Sequence, residues 1–298
     1  MHIQNRTKNV KYAIRDVLAP ARALEAKGHK ILKLNIGDPN KYDFDTPEFI
    51  KDAAVAAIHS GKNFYGDSEG IASVTQAIAE REKQYKNVNI APENILPTTG
   101  ATEGINFLFA SLLGEGDEVL IPGPTYPLYT SMAEFYGAKP IEYHTIEKEG
   151  WIPNIQDMRA KINPKTRAIV VINPNNPTGA VYPESILQGI IDIATEFNIP
   201  IISDEIYDLL TFNNKFVSIA SLSTEANVIT LGGLSKVYFA PGWRAGWMLF
   251  SGPDIDPLKE AIHKLARARI SIHTPSHYAI ETAMREPHGF LKKYLKNL

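Results

Sequence analysis

The stretch Ala168-Ile169-Val170-Val171-Ile172, continued by Asn173-Pro174-Asn175-Asn176-Pro177-Thr178-Gly179, decides the fold. Its first five residues are apolar and mostly β-branched, which is typical of a strand buried on both faces of a parallel sheet. Two prolines and a glycine then predict a rigid turn where that strand ends. The stretch therefore predicts a buried strand that carries polar side chains at its carboxyl end.

Three further apolar runs of the same kind lie before and after this strand, at 118–121, 199–202 and 227–231. Segments with helical character accompany them, at 103–112, 130–136 and 183–198, as βαβ crossovers require. We therefore predict an α/β fold in which helices cover both faces of one mostly parallel central sheet.

Helices are also predicted nearer the amino terminus, at 12–27, 48–59 and 70–85. Pro20 is expected to bend or break the first of these helices, because proline lacks the N–H that an interior helical position uses. Gly28 is expected to end it.

Composition and charge limit the classes of function. The chain has 298 residues, a net charge of −2 and no basic block, so we expect neither nucleic acid nor a membrane surface as a partner. No apolar run is long enough to span a bilayer, and the first residues lack the apolar core of a secretory signal. The absence of cysteine excludes disulfides, thiolate metal sites and cysteine nucleophiles. We predict a cytoplasmic enzyme that holds no metal.

Polar clusters follow the apolar runs at five points of the chain. In open α/β sheets, ligands bind outside the carboxyl ends of the strands, so these clusters are the candidate site. They are 100–102, 124–126, 173–179, 203–205 and 233–236.

Lys236 ends the stretch Gly232-Gly233-Leu234-Ser235-Lys236. A deprotonated lysine amine can condense with an aldehyde, and burial favours the deprotonated form. The glycines beside it would let a bulky ring approach the backbone. A phosphate loop is excluded, because the motif G-x-x-x-x-G-K-[ST] does not fit and Val237 follows the lysine. A solvated surface lysine is the remaining alternative.

Asp204 lies where the predicted strand at 199–202 emerges from the core. A carboxylate there would keep the nitrogen of a pyridine ring protonated, and a protonated ring can accept electrons from a carbanion. Tyr207 offers a hydroxyl for the phenolic oxygen of the same ring. The alternative for Asp204 is a helix N-cap.

The other clusters suit an anion and an aromatic ring. Gly100, Ala101 and Thr102 open a helix, where free N–H groups favour a phosphate, although Thr also caps helices without a ligand. Arg244 could supply a bidentate positive contact. Tyr126 could stack on a ring or belong to the core, and Asn176 could direct its amide at a ligand or belong to a plain turn.

Taken in order, these motifs resemble the class I aminotransferases, and in particular their alanine aminotransferase branch. The likeness extends from about Tyr12 to the carboxyl terminus. The segments that carry it are Asn35-Ile36-Gly37-Asp38-Pro39, Tyr65-Gly66-Asp67-Ser68-Glu69-Gly70, Gly100-Ala101-Thr102, Asn175-Asn176-Pro177-Thr178-Gly179, Ser203-Asp204-Glu205-Ile206-Tyr207-Asp208, Leu234-Ser235-Lys236-Val237-Tyr238-Phe239-Ala240 and Gly242-Trp243-Arg244.

The resemblance implies the fold-type I architecture and pyridoxal 5'-phosphate (PLP) as cofactor. Lys236 would bind the cofactor aldehyde and then act as the general acid and base, and Asp204 would pair with the ring nitrogen. Asn176 and Tyr207 would contact the phenolic oxygen, and Tyr126 would stack on the ring.

The resemblance also implies the phosphate and substrate contacts. Gly100, Ala101, Thr102 and Arg244 would hold the phosphate. Many members of the family carry a serine that binds the phosphate at the position of Gly233, so here either one phosphate hydroxyl is lost or Ser235 serves instead. Gly37 and Asn176 would lie beside the substrate, and Tyr65 would reach the phosphate of a neighbouring subunit, which implies a homodimer.

The family's chains continue past the position of Leu298. We therefore expect a large PLP-binding domain at 46–285, an N-terminal arm with part of the small domain at 1–45, and the start of an incomplete small domain at 286–298. The arginine that binds the substrate carboxylate in the family has no match here.

The implied reaction moves an amino group between a small 2-amino acid, alanine, and a 2-oxo acid, 2-oxoglutarate. Two alternatives stay open from the residues alone. A PLP-dependent lyase of the same fold, such as a carbon–sulfur β-lyase, uses nearly the same cofactor residues. A domain that binds PLP without turnover is the other alternative, because the carboxylate-binding segment is missing.

Overall fold

The computed structural model describes residues 4–8, 10–35, 37–42, 44–212, 215–286 and 288–296. The strands of this part of the chain are β1 (Ile95–Thr98), β2 (Glu118–Gly123), β3 (Lys139–Ile146), β4 (Ile152–Pro153), β5 (Thr166–Ile172), β6 (Ile201–Asp204), β7 (Val228–Gly233) and β8 (Gly246–Ser251). The α-helices are α1 (Ala13–Asp16), α2 (Leu18–Glu25), α3 (Glu48–His59), α4 (Ala72–Lys86), α5 (Ala101–Leu112), α6 (Pro127–Phe135), α7 (Ile155–Lys161), α8 (Glu184–Glu196), α9 (Asp256–Arg269), α10 (Thr274–Arg285) and α11 (Gly289–Leu295).

All these strands form one sheet in the order β1-β8-β7-β6-β5-β2-β3-β4. The central neighbours from β7 to β3 are parallel, whereas β8 is antiparallel to both β7 and β1, and β4 is antiparallel to β3. The predicted fold class, a mostly parallel sheet between helices, is confirmed. The four predicted apolar runs are β2, β5, β6 and β7.

The strand β5 shows why its sequence is apolar throughout. Val170 and Ile172 pack into the core beneath α5, α6 and α9, whereas Ile169 and Val171 pack into the core beneath α7 and α8. None of these four side chains is more than 1% exposed. Full burial of such a side chain contributes about 1.5–3 kcal/mol, so both faces of this strand stabilise the fold.

The predicted helix at 12–27 is two short helices, α1 and α2. The break lies at Val17 and not at Pro20, because Pro20 occupies the first turn of α2, where its missing N–H has no helical partner to lose. The break therefore lies three residues before the predicted position.

Among the described residues, no helix combines the length and apolarity that a bilayer span requires.

The topology brings the polar clusters to one edge of the sheet. The strands β2, β5, β6 and β7 run in one direction, and β1 shares it because β1 and β7 are both antiparallel to β8. The carboxyl ends of these strands therefore lie at the same edge.

Candidate active site

A cavity of about 660 Å³ opens at this carboxyl edge. Its wall contains most of the residues that the sequence predicts for the site. They are Gly37, Ala101, Thr102, Tyr126, Asn176, Asp204, Tyr207, Ser235, Lys236 and Arg244. Residues separated by more than two hundred positions in the chain therefore line one cavity, although their individual roles stay predictions.

Lys236 lies in the turn after β7 and is partly buried, with its Nζ 5.7 Å from the centre of the Tyr207 ring. Burial lowers the pKa of Lys236, and nearby Arg244 lowers it as well. The carboxylates of Asp38 and Asp204 oppose this change, but the net pKa lies below the ordinary lysine value. Lys236 is therefore not a freely solvated lysine, and its amine loses a proton more readily than one in water.

The glycines before Lys236 are also required by the packing around them, and the predicted approach of a ring stays a prediction. A Cβ at Gly232 would lie 2.5 Å from the indole nitrogen of Trp247, and a Cβ at Gly233 would lie 2.9 Å from the carbonyl oxygen of Ala245. These contacts belong to the close packing of β7 against β8. A side chain at position 233 would therefore crowd the backbone of Ala245 and Gly246.

Asp204 ends β6 and is only 5% exposed. Its Oδ2 accepts a hydrogen bond from the Tyr129 hydroxyl at 2.9 Å, and its Oδ1 accepts one from the Ile206 N–H at 3.3 Å. Burial raises the pKa of Asp204, and these hydrogen bonds oppose the rise. Residues 205–212 form turns and no α-helix, so Asp204 is not the helix N-cap that was the alternative.

Two tyrosines that the sequence did not predict lie beside Tyr126: Tyr12 lines the cavity, and Tyr129 is fully buried behind its wall. Tyr129 follows Tyr126 by one helical turn in α6, and the rings meet edge to face at 6.4 Å. The hydroxyls of Tyr12 and Tyr126 are 2.7 Å apart. Burial, with the charge of Asp204, raises the pKa of Tyr207 to about 12, so this hydroxyl keeps its proton and can donate it in a hydrogen bond.

Arg244 lies at the end of the cavity where the sequence predicts an anion, which we call the anion-binding end. Gly100 has a φ of +71°, and a Cβ there would lie 2.5 Å from Arg244 Nη2, so only glycine allows this approach. Arg244 itself has a left-handed backbone, with φ +52°. Its Nη2 donates to Thr102 Oγ1 at 3.4 Å, beside the first N–H groups of α5. A guanidinium, a hydroxyl and a helix amino terminus together suit a phosphate.

The turn after β5 contains two neighbouring asparagines with different surroundings. Asn175 Oδ1 accepts hydrogen bonds from the N–H and the hydroxyl of Thr178, and Asn175 Nδ2 donates to the Tyr182 hydroxyl. Asn175 therefore fixes the turn. Asn176 lines the cavity, so its side chain can contact a ligand there.

Two predicted site residues do not line this cavity. Gly100 acts behind the wall, by making room for Arg244. Tyr65 lies in the loop between α3 and α4 and is 83% exposed. Its predicted contact with a phosphate would need the cavity of a second copy of the chain.

These residues fit PLP. The cavity has a partly buried amine for an aldehyde, a buried carboxylate for the ring nitrogen, a protonated tyrosine for the phenolic oxygen and a guanidinium beside a helix amino terminus for the phosphate. The fold and the cavity together define the fold-type I class of PLP enzymes.

Comparisons with known proteins agree on the family. The family model described as "Aminotransferase class I and II" matches residues 29–298. The chain is 39% identical to the glutamate-pyruvate aminotransferase AlaA of Escherichia coli K12, over 94% of this chain and 70% of that protein. It is also 39% identical to the alanine aminotransferase of Mycobacterium tuberculosis H37Rv, over 93% of this chain and 66% of that protein. The chain therefore belongs to the class I and II aminotransferase family.

Solved structures show the same relationship. The alanine aminotransferase from Pyrococcus furiosus is 50% identical, with a TM-score of 0.96 over 99% of this chain and 76% of that one. The aspartate aminotransferase from Thermus thermophilus with maleate is 31% identical, with a TM-score of 0.89 over 100% of this chain and 76% of that one. The chain is a PLP-dependent aminotransferase that spans about two thirds to three quarters of these relatives, and its substrates are an amino acid and a 2-oxo acid. The matched relatives give the lyase alternative no support.

Proposed function

We propose that this chain moves the amino group of alanine to 2-oxoglutarate, giving pyruvate and glutamate. Relatives at 39% and 50% identity are named as glutamate-pyruvate and alanine aminotransferases, which supports this substrate pair. The observation that carries the proposal is the meeting of Lys236, Asp204 and Arg244 on one cavity.

When PLP is bound, its aldehyde and protonated ring supply the covalent attachment and the electron sink. Asp204 would hold the proton at the ring nitrogen, and the Tyr129 hydroxyl fixes the carboxylate for that contact. The amine of Lys236, with its pKa lowered by burial, would take the proton from the α-carbon of the amino acid and deliver it to the aldehyde carbon of the cofactor. Tyr207 and Asn176 would hold the phenolic oxygen.

The phosphate would lie against Arg244, Thr102 and the N–H of Ala101, with the hydroxyl of Ser235 in the place of the missing serine. Gly37 would lie beside the substrate. We further propose a homodimer in which Tyr65 reaches the phosphate of the partner, because its high exposure leaves the ring free for such a contact. The domain division at 46–285 and the cytoplasmic location stay predictions.

The attachment of PLP is tested by absorption spectroscopy. The purified chain mixed with PLP should develop a visible band that Lys236→Ala loses. Lys33→Ala, which removes a solvent-exposed lysine of the surface pair with Glu25, should keep that band. An identical spectrum in wild type and Lys236→Ala would contradict the assignment.

Product analysis tests the reaction. Pyruvate that forms from alanine only when 2-oxoglutarate is present supports transamination, and Lys236→Ala should lower its rate by about 10⁴-fold. Ammonia with pyruvate from a β-substituted amino acid would indicate a lyase. PLP binding without either product would indicate a binding domain.

A further inference from the structure

Five charged side chains form a buried cluster behind the candidate active site. Arg81, Glu82 and Lys86 come from α4, and Glu205 and Asp208 come from the segment that follows β6. None of the five is more than 5% exposed. We call this group the Arg81 cluster. The chemistry proposed above uses none of its members, so their burial has another reason.

Ion pairs join the helix to the segment. Asp208 Oδ2 lies 2.8 Å from Arg81 Nη1 and 3.0 Å from Lys86 Nζ. Lys86 Nζ also donates to Glu205 Oε2 at 3.0 Å. The other oxygen of Glu205 accepts hydrogen bonds from two buried serine hydroxyls, at 2.9 and 2.8 Å. The position of the segment relative to α4 is therefore fixed at two side chains.

The charges of the cluster persist although they are buried. Burial lowers the pKa of Lys86, but the carboxylates of Asp208, Glu82 and Glu205 outweigh it, and the net pKa is raised. Burial raises the pKa of Asp208, but Arg81 and Lys86 outweigh it, and the net pKa is well below the ordinary value. Pairing roughly repays the loss of hydration in such clusters, so stability alone does not explain them. A role in fixing one arrangement explains them better.

The segment 204–208 presents its polar side chains to two environments in turn. Asp204 and Tyr207 line the cavity, whereas Glu205 and Asp208 belong to the Arg81 cluster. Asp204 and Tyr207 are thus each followed in the chain by a carboxylate that Lys86 contacts. A rotation of the segment about its own axis would break these ion pairs.

We propose that Glu205 and Asp208 are positioning residues, which hold Asp204 and Tyr207 in the orientation that grips the ring of PLP through their ion pairs with α4. The inference rests on the proposed function, because it requires Asp204 and Tyr207 to contact the cofactor. A looser segment should then weaken PLP binding beyond its effect on the fold.

Glu82 offers a matched control for Asp208. Both carboxylates lie 2.8 Å from Arg81 Nη1 and 3.0 Å from Lys86 Nζ, but Glu82 belongs to the helix. Asp208→Asn and Glu82→Gln each remove one negative charge and keep the side-chain shape. We expect similar losses of melting temperature in both. Only Asp208→Asn should raise the dissociation constant of PLP, by about tenfold, in a titration of apoenzyme followed by the visible band.

A spectroscopic readout separates positioning from general loosening. A hydroxyl donor at the ring oxygen favours the ionised form of that oxygen. If Tyr207 is displaced, the ring oxygen of bound PLP should ionise at higher pH. The pH midpoint of the change in the visible band, which follows this ionisation, should therefore rise. We expect this midpoint to rise in Asp208→Asn and to stay at the wild-type pH in Glu82→Gln. Equal results for the two variants in both measurements would overturn the proposal.

If Asp208→Asn does not fold, Glu205→Gln replaces it, because its amide oxygen still accepts from both serine hydroxyls, whereas its NH2 group cannot accept from Lys86 and that contact alone is lost. The two levels of proposal fail in different ways. If Lys236→Ala loses the band but Glu205→Gln binds PLP as Glu82→Gln does, the positioning role is wrong and the proposed function stands. If Lys236→Ala keeps the band, the proposed function itself is wrong.

Discussion

The Arg81 cluster and the cavity lie on opposite sides of residues 204–208, and they use charge in opposite ways. In the cluster, every charged group has an oppositely charged partner no more than 3.0 Å away. Around the cavity, Lys236, Asp204 and Arg244 form no ion pair with any described residue; their contacts are with hydroxyls, backbone groups and an aromatic ring.

The difference separates two kinds of site that are built from the same residue types. Paired buried charges are complete within the protein, and their loss should affect the fold. Charged side chains that lie at a sheet edge without an ionic partner can pair with a bound ligand, and their loss should affect binding or chemistry. This distinction can be tested with matched pairs of variants.

The largest expected effect comes from a comparison of buried Lys86 with partly buried Lys236. Lys86→Met leaves three buried carboxylates with Arg81 as their remaining cation in the cluster, and should lower the free energy of unfolding of the apoprotein by about 3–5 kcal/mol. Lys236→Met removes an amine without an ionic partner among the described residues, and should change that free energy by less than about 1 kcal/mol. Urea unfolding of both variants checks this. Equal losses would remove the distinction between the regions.

An intermediate effect is expected from two glycines with the same kind of backbone. Gly100 and Gly116 have φ values of +71° and +87°, so an alanine strains each by about 1–2 kcal/mol. Only at Gly100 does the added Cβ meet Arg244, whereas nothing lies within 4 Å at Gly116. Gly100→Ala should therefore weaken PLP binding about tenfold, since a hydrogen bond to a charged group contributes about 1.5–3 kcal/mol.

Gly116→Ala is the control for this affinity measurement, and its dissociation constant for PLP should match that of the wild type. Inorganic phosphate can be titrated as a competitor of PLP in the same variants. If inorganic phosphate binds more weakly to Gly116→Ala than to Gly100→Ala, the assignment of the anion-binding end is wrong.

The smallest effect concerns the pH at which PLP attaches. The Asp38 carboxylate raises the pKa of Lys236 against the lowering by burial. Asp38→Asn should therefore lower the pKa of Lys236 further and make the deprotonated amine available at lower pH. The pH profile of the rate at which the visible band forms should move to lower pH, by about one unit at most. Asp256→Asn, at an exposed position, should leave the profile unchanged, and a shift to higher pH in Asp38→Asn would contradict the argument.

The central strands were predictable because burial on both faces leaves a continuous apolar run, as in β5. The same criterion does not find β3. This strand lies next to the edge strand β4, and its residues range from exposed to buried, so they form no continuous apolar run. The strand β8 is as apolar as the others, but an apolar run gives no strand direction, so its antiparallel place between β1 and β7 needs the structure.

The cavity residues were predictable from residue type combined with position after a strand. Tyr129 carries a usable signal, because it follows Tyr126 at helical spacing and so shares a face with it. Tyr12 carries none, since its partner Tyr126 lies 114 positions away. The Arg81 cluster is hidden for the same reason: the charges on α4 look like a solvated helix face until a segment 119 positions later is folded against them.

Arg244 illustrates a conflict between the stability of the fold and the function of a side chain. Its left-handed backbone is a geometry that glycine adopts freely and that a larger residue holds at a cost of about 1–2 kcal/mol. Selection of this chain for heat tolerance alone would therefore favour Arg244→Gly, and would discard the guanidinium that the cavity needs. A screen for hardier variants should retain catalysis as a second criterion, because the native arginine survives only where its charge is useful.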